Sequence, residues 1–413
     1  MSATTHDLPE QGVAAAVRSY IGRTRGGDVG ALPAVLSLIV LAAVFTVLRP
    51  STFTNAFNFS NLLHQGAAVI VIAMGLVFVL LLGEIDLSAG FTAGTSAAVM
   101  GVVLTNHGWP WYASVLACIL TGAVIGTCIG ALVARLGIPS FVVTLAAFLG
   151  LQGVLLKLVG EGGTVPIRND ILLAINNDNM PVWAGWVLWA VVVGGFAVLS
   201  VRRAIRRRSH GLQAEDLSLV VAKSLVLAVL LGAATYFLSI ERSRNPEVSS
   251  IKGVPQVVLV LLVLLVVLSF VLSRTSFGRH VYAVGGNAEA ARRAGINVRR
   301  VKLICFVIGS SLAAIGGILI ASRNNSISPN TGAADTLLYA VGAAVIGGTS
   351  LFGGKGRVLD AILGGLVIAV IINGMGLLNK PSSTVYMVTG FVLLVAASVD
   401  ALSRRRAAST GNV

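Results

Sequence analysis

The feature that most constrains this chain is a succession of apolar runs. Each is close to the length of about 20 residues that a helix needs to cross the hydrocarbon core of a bilayer. They lie near 31–48, 62–82, 88–105, 111–134, 139–159, 182–201, 217–240, 254–273, 301–321, 336–350, 358–378 and 383–402. In lipid a lone segment must satisfy its own backbone hydrogen bonds, so runs of this length read as helices. The expectation is an all-α, polytopic transmembrane bundle of about twelve spans. The runs at 88–105 and 336–350 are the weakest, being short and rich in Gly, Ser and Thr. Only 11% of residues are charged, against about 25% in a soluble domain. The 47 glycines suit helices whose backbones approach closely.

The basic residues orient the runs. With the N-terminus inside and the runs alternating, one face receives Arg18, Arg23, Arg25, Arg135, the arginines of 202–208, the seven basic residues of 274–302, Lys355, Arg357 and Arg404–Arg406. That face holds 21 basic residues and the other holds 8. Such an excess marks the cytoplasmic side and predicts both termini there. The net charge of +14 therefore reads as topology and not as a nucleic-acid surface. Residues 1–30 read as a cytoplasmic tail with no cleaved signal peptide, 31–402 as one transmembrane domain, and 403–413 as a second tail. Loops are short, so no soluble domain fits between spans. Cys118, Cys128 and Cys305 lie in apolar runs and read as packing residues, not as a disulfide framework or metal ligands.

Several chemistries are excluded. The stretch Gly348–Gly356, GTSLFGGKG, misses a phosphate-binding loop: its lysine falls one place late and is followed by glycine. No catalytic triad order, zinc motif or dinucleotide fingerprint stands out. The expectation is no catalytic residue, no metal and no cofactor, with any energy source on another chain. An ion-coupled secondary sugar carrier is the competing class, but such carriers keep ionisable groups deep in their spans, and here these are scarce.

Four segments carry information. The inner loop from Arg274 to Arg300 contains Asn287, a good helix N-cap, Glu289 in the first turn, where a negative charge suits the helix dipole, and Gly295 placed to end the helix. The result is a two-turn rod over Ala288–Ala294, too short to be stable without packing and read either as a solvated loop helix or as one docked on a partner. Gly83-Glu84-Ile85-Asp86-Leu87-Ser88-Ala89-Gly90 sets two carboxylates between apolar runs, with Asp86 placed to cap a helix beginning at Leu87. Gly347–Gly356 has the glycines of a hairpin or hinge. Gly122, Gly126 and Gly130 put a glycine stripe on one helix face, a packing device. Thr95, Ser96, Thr144, Gln152 and Asn373 are polar residues within spans, with Phe91 and Phe148 among them; they serve either a hydrogen-bonding passage or interhelical bonds.

FGRHVYAVGGNAEAARRAGI, GEIDLSAG and GGTSLFGGKG together resemble the membrane subunits of bacterial ATP-binding-cassette importers for monosaccharides. The resemblance runs from about residue 50 to 402. It implies a homodimeric permease in the cytoplasmic membrane, in contact with membrane lipid, two copies of a cytoplasmic ATPase and an external sugar-binding protein. It implies that Gly285, Gly286, Asn287, Ala290, Ala291 and Gly295 belong to the ATPase-contacting segment, and that Glu84, Asp86 and Ser88 lie at the passage, to which Thr95, Ser96, Gln152 and Asn373 are candidate additions. The ribose type looks like a ten-span chain; here an extra pair over 182–240 is inserted, as the xylose type looks to have. That points to a pentose such as xylose. Related permeases for nucleosides or branched-chain amino acids share the architecture.

Overall fold

The computed structural model describes residues 30, 32–210, 216–243, 245–247 and 250–409. The tail assigned to residues 1–30 lies outside them except for Gly30, as does the end of the second tail from residue 410. The described residues form α1 (Leu32–Leu48), α2 (Pro50–Phe53), α3 (Ala56–Leu81), α4 (Ala89–Gly101), α5 (Trp111–Arg135), α6 (Ser140–Val159), β1 (Val165–Pro166), α7 (Asp170–Asn177), α8 (Val182–Ser209) and α9 (Leu217–Ser239). They continue as α10 (Gln256–Arg274), α11 (Ser276–Gly286), α12 (Ala288–Arg293), α13 (Val298–Asn324), β2 (Ser326–Ile327), α14 (Ala334–Gly347), α15 (Val358–Leu377) and α16 (Ser382–Ser409). The fold is all-α apart from one two-residue pairing, Val165 with Ile327 and Pro166 with Ser326.

Helix starts follow local chemistry. Pro110, Pro139, Pro181 and Pro255 directly precede α5, α6, α8 and α10. Proline has no N–H to leave unpaired and its fixed φ ends the preceding loop. Asn55, Asn169, Thr275 and Asn297 cap α3, α7, α11 and α13, their side chains accepting from Phe57, Leu172, Gly278 and Arg300 backbone N–H groups.

Eight of the described helices are long and apolar enough to cross a membrane: α3, α5, α6, α8, α9, α10, α13 and α15. The chain is a polytopic membrane protein. The two weak runs become short helices. Thirteen residues of α4 and fourteen of α14 reach about 20 Å at ~1.5 Å per residue, less than the ~30 Å hydrocarbon core. Each adjoins an irregular stretch, 82–88 before α4 and 348–357 after α14. At its other end α4 passes into a π-turn, Val102–Asn106. The last helix runs on to Ser409, past the expected span end at 402.

Proximity of Cα atoms divides the chain into two compact units, one built on Asn179–Val254 and the other on Ala31–Asp178 and Pro255–Ala401. In the larger, α3 is the axis: most of its length from Gly66 to Leu81 is buried, packed by α13, α14, α15 and α10. The glycine stripe of α5 lies on α13; a Cβ at Gly122 or Gly126 would come within 2.6 Å of the Ser310 or Phe306 carbonyl oxygen. Packing this close replaces the hydrophobic drive that lipid does not supply between helices. In the smaller unit α8 and α9 pair, with the Trp189 indole N–H donating to Ala228 O at 3.0 Å. Below them Arg242 ties a loop together, donating to Asn179 Oδ1 at 3.1 Å, to Gly253 O at 3.0 Å and to Leu238 O.

Candidate functional site

Three of the segments singled out in the sequence meet at one place in the larger unit. Thr275 caps α11, whose buried face is Gly278, Val281 and Val284. At its end Gly285 lies so near the chain after α3 that a Cβ would stand 1.8 Å from Leu81 O and 2.8 Å from Gly354 N. Gly354 N itself donates to Leu81 O at 2.9 Å. Gly83 lies against the backbone of Phe352. The Tyr282 hydroxyl donates to Gly356 O at 2.8 Å. The loop segment after α10, the end of α3 and the glycine segment after α14 are thus in backbone contact, and a side chain at Gly285 would hold them apart.

The short helix α12 follows directly. Asn287 Oδ1 accepts from Ala290 N at 2.9 Å. Gly295, at φ 84°, ends it in a Schellman turn: Gly295 N donates to Arg292 O and Ile296 N to Ala291 O, each at 3.0 Å. The left-handed φ is one that L side chains resist. The helix covers six residues, Ala288–Arg293, one fewer than expected, because Ala294 becomes its C-cap. Ala291 is buried, while Gly286, Asn287, Ala290 and Gly295 are exposed. Of the six coupling candidates, then, Ala291 and Gly285 turn into the protein and the other four outward. Glu289 bonds Arg292 at 2.9 Å and Arg293 at 3.1 Å, and these bonds, Arg292's first, hold its carboxyl below the usual range. One turn into α13, Lys302 pairs with Glu84, 218 residues away in sequence.

The stretch after Glu84 is fastened to α6. Ile85 N donates to Ser140 Oγ at 3.2 Å, and Thr144 Oγ1 donates to Ser140 O at 2.8 Å and to Ile85 O at 3.3 Å. Asp86 does not cap a helix at Leu87. Its Oδ1 accepts from Ser88 N at 2.8 Å and Ser88 Oγ at 2.6 Å, closing a turn that delays the helix to Ala89. The other oxygen of Asp86 is buried without a hydrogen-bond partner. So are the hydroxyls of Thr92 and Ser96, one turn apart on the same face of α4. Buried polar groups are nearly always paired, so these three groups, one just before α4 and two on it, set this stretch apart from the apolar core around it. Thr92 was not among the polar residues singled out in the sequence; its spacing of four from Ser96 is the one signal that could have found it. Thr95 instead donates to Leu151 O at 3.1 Å, Gln152 is half-buried beside that carbonyl's residue on α6, and Phe91 meets Phe148 edge to face at 4.7 Å.

Asn373 belongs to a different group. Its amide exchanges bonds with Asn58 at 2.9 Å and donates to Gln65 at 3.2 Å. It sits 13 residues along α15 from Asp360, about 20 Å. Asp360 marks the other end of that helix, bonding the Arg357 backbone N–H at 2.7 Å in a capping box.

Comparison with known proteins accords with this arrangement. Residues 58–397 match the family described as branched-chain amino acid transport system / permease component. The xylose transport system permease protein of Escherichia coli strain K12 is 35% identical over 372 residues, 90% of this chain and 92% of its own. The fructose import permease protein of Rhizobium meliloti is 29% identical, covering 91% and 87% of the two chains. The ribose import permease protein of Escherichia coli strain K12 is 28% identical, covering 89% and 92%. No solved structure matches. A membrane chain of packed helices, with the end of α3, the glycine segment after α14 and the loop helices in contact at Gly285, and matched along most of its length by permeases, belongs to this family of transport-system permease components.

Proposed function

We propose that the chain is the passage-forming subunit of an ATP-binding-cassette importer in the cytoplasmic membrane, taking a monosaccharide, a pentose such as xylose. The observation that carries this reading is the 35% identity to xylose permeases across 90% of the chain. The exposed face of α12, with Gly286, Asn287, Ala290 and Gly295, is the docking face for a cytoplasmic ATPase; Gly285 and Ala291 seat it. Two permease chains pair with two ATPase copies, and an external sugar-binding protein delivers the solute. Twelve spans with both termini inside put α12 on the cytoplasmic face, as the excess of basic residues on that side supports.

The mechanism follows from the contacts. Movement of α12 passes to α11 and α13. From α11 it reaches the end of α3 and the glycine segment through Gly285, and from α13 it reaches Glu84 through Lys302. Both routes end at the irregular stretches next to α4 and α14, where the backbone is not held by helical bonds along its whole length. Opening there would give solute or water access to Asp86, Ser88, Thr92, Thr95 and Ser96, with Gln152 as a further contact; Asn373, in its separate group with Asn58 and Gln65, would line the passage farther along. The test is uptake into liposomes carrying the chain with its ATPase and binding protein. ATP-dependent accumulation of xylose, lost in Ala290→Trp together with ATPase co-purification, is expected. Uptake that continues without the ATPase and collapses with an ion gradient would overturn the reading.

A further inference from the structure

We infer that a polar pocket lined by Asn61, His64, Asn177, Arg323 and Asn324 is a binding site for a neutral polyhydroxylated solute, the point at which sugar first meets the permease. This inference rests on the reading above as a sugar importer and on the outward placement of the N-terminal end of α3. The cavity measures about 360 Å³, within the roughly 300–1,000 Å³ of small-molecule sites. Its parts come from three separated stretches, the start of α3, the end of α7 and the end of α13. They are held in place by their own bonds: Arg323 donates to Asn61 Oδ1 at 3.2 Å, and Asn177 donates to Ser322 O at 2.7 Å and Asn325 Oδ1 at 3.0 Å. Asn176 next to it is buried, donating to Leu319 O at 3.2 Å and His64 O at 3.4 Å, which fixes α7 against α3 and α13.

The lining chemistry selects the solute. Three carboxamides, an imidazole and a guanidinium offer donors and acceptors in both senses, as sugar hydroxyls require. None of the five lining residues is acidic, so an α-amino group entering here has no counter-charge. None is aliphatic, so a branched hydrocarbon side chain has no surface to rest on. The lining therefore favours a neutral polyhydroxylated solute over an amino acid. Sequence reading passed over these residues because they lie far apart along the chain and only the fold brings them together.

The test uses the whole importer, reconstituted with its ATPase and binding protein. The readouts are the KM for xylose uptake and displacement of labelled xylose by other solutes. Asn324→Leu and Asn61→Leu are each expected to raise the KM roughly tenfold, the loss of one or two hydrogen bonds, and Asn324→Leu to do so at an unchanged unfolding temperature. Asn324 is exposed, so its variant keeps the fold even if Asn61→Leu does not. Neutral aldoses are expected to displace xylose and valine is not. An unchanged KM in Asn324→Leu, or displacement by valine, overturns the pocket assignment while leaving the importer reading intact. Absence of any sugar uptake by the unaltered complex overturns that reading instead.

Discussion

Gly285 and Gly286 are neighbours in sequence, yet a methyl group at the first would collide with Leu81 O at 1.8 Å and at the second would meet nothing within 4 Å. Gly285→Ala must therefore push α11 off the end of α3 or distort the glycine segment beside it. Overpacking of this kind costs about 1–3 kcal/mol. Thermal unfolding in detergent is expected to show that loss for Gly285→Ala and a change within about 0.5 kcal/mol for Gly286→Ala, the scale of ordinary surface substitutions. Equal effects at the two positions would mean that the junction is not seated as described. The same asymmetry sorts α12, where Ala291 is buried and Ala290 exposed. A substitution at Ala291 tests packing, and one at Ala290 tests docking. Nothing in the repeated alanines of that helix distinguishes the two, since the difference lies in which face the neighbouring elements cover.

At the scale of an element, the loop between α9 and α10 is built on one carboxylate. Glu241 accepts from Ser250 Oγ and from the backbone N–H groups of Ser243, Ile251 and Arg242, the last three at 3.0, 2.8 and 3.0 Å. These bonds, Ser250's first, hold its carboxyl down to about 2, against an ordinary 4.5. A carboxylate whose folded value is depressed stabilises the fold fully above its unfolded value and loses that contribution as pH falls towards the folded one. The loop should accordingly loosen between pH 4.5 and about 2. Cleavage by an acid protease at the loop is expected to rise across that window, and in Glu241→Gln to depend far less on pH. An unaltered profile in the variant would assign the acid response to other groups. The short helices show a related limit of local reading. Weak hydropathy at 88–105 and 336–350 and the breaks at Gly83–Gly90 and Gly347–Gly356 were visible in the sequence, but where α4 and α14 stop was not, because a glycine-rich run permits helix and break alike.

For the molecule as a whole, two hydrogen bonds mark where the chain passes between the two units. Gln256 N donates to Asp178 O at 2.9 Å, so the chain leaves and re-enters the larger unit at one point. Met180 N donates to Val254 O at 2.7 Å, closing the smaller unit on itself. A segment whose ends are already adjacent can be removed with little disturbance to the rest of the chain. Joining Asp178 to Pro255 through a short linker, with the pair deleted, is expected to leave a chain that inserts in the membrane and keeps its unfolding temperature within a few degrees. Aggregation or loss of membrane insertion would show that the pair is integral to the bundle.

Apolar run length determined, without any structure, that this chain is a membrane protein of packed helices, because a hydrocarbon core leaves a backbone so few ways to satisfy its own bonds. Local chemistry likewise determined the caps at Asn287 and Gly295, which depend on residues three or four apart. Only the tertiary structure decided which polar residues belong together. Glu84 meets Lys302 across 218 residues, Asn373 joins Asn58 across 315, and Arg323 joins Asn61 across 262. Such pairings depend on which helices stack; a stripe such as Gly122, Gly126 and Gly130 shows that a face packs closely but not which helix it meets.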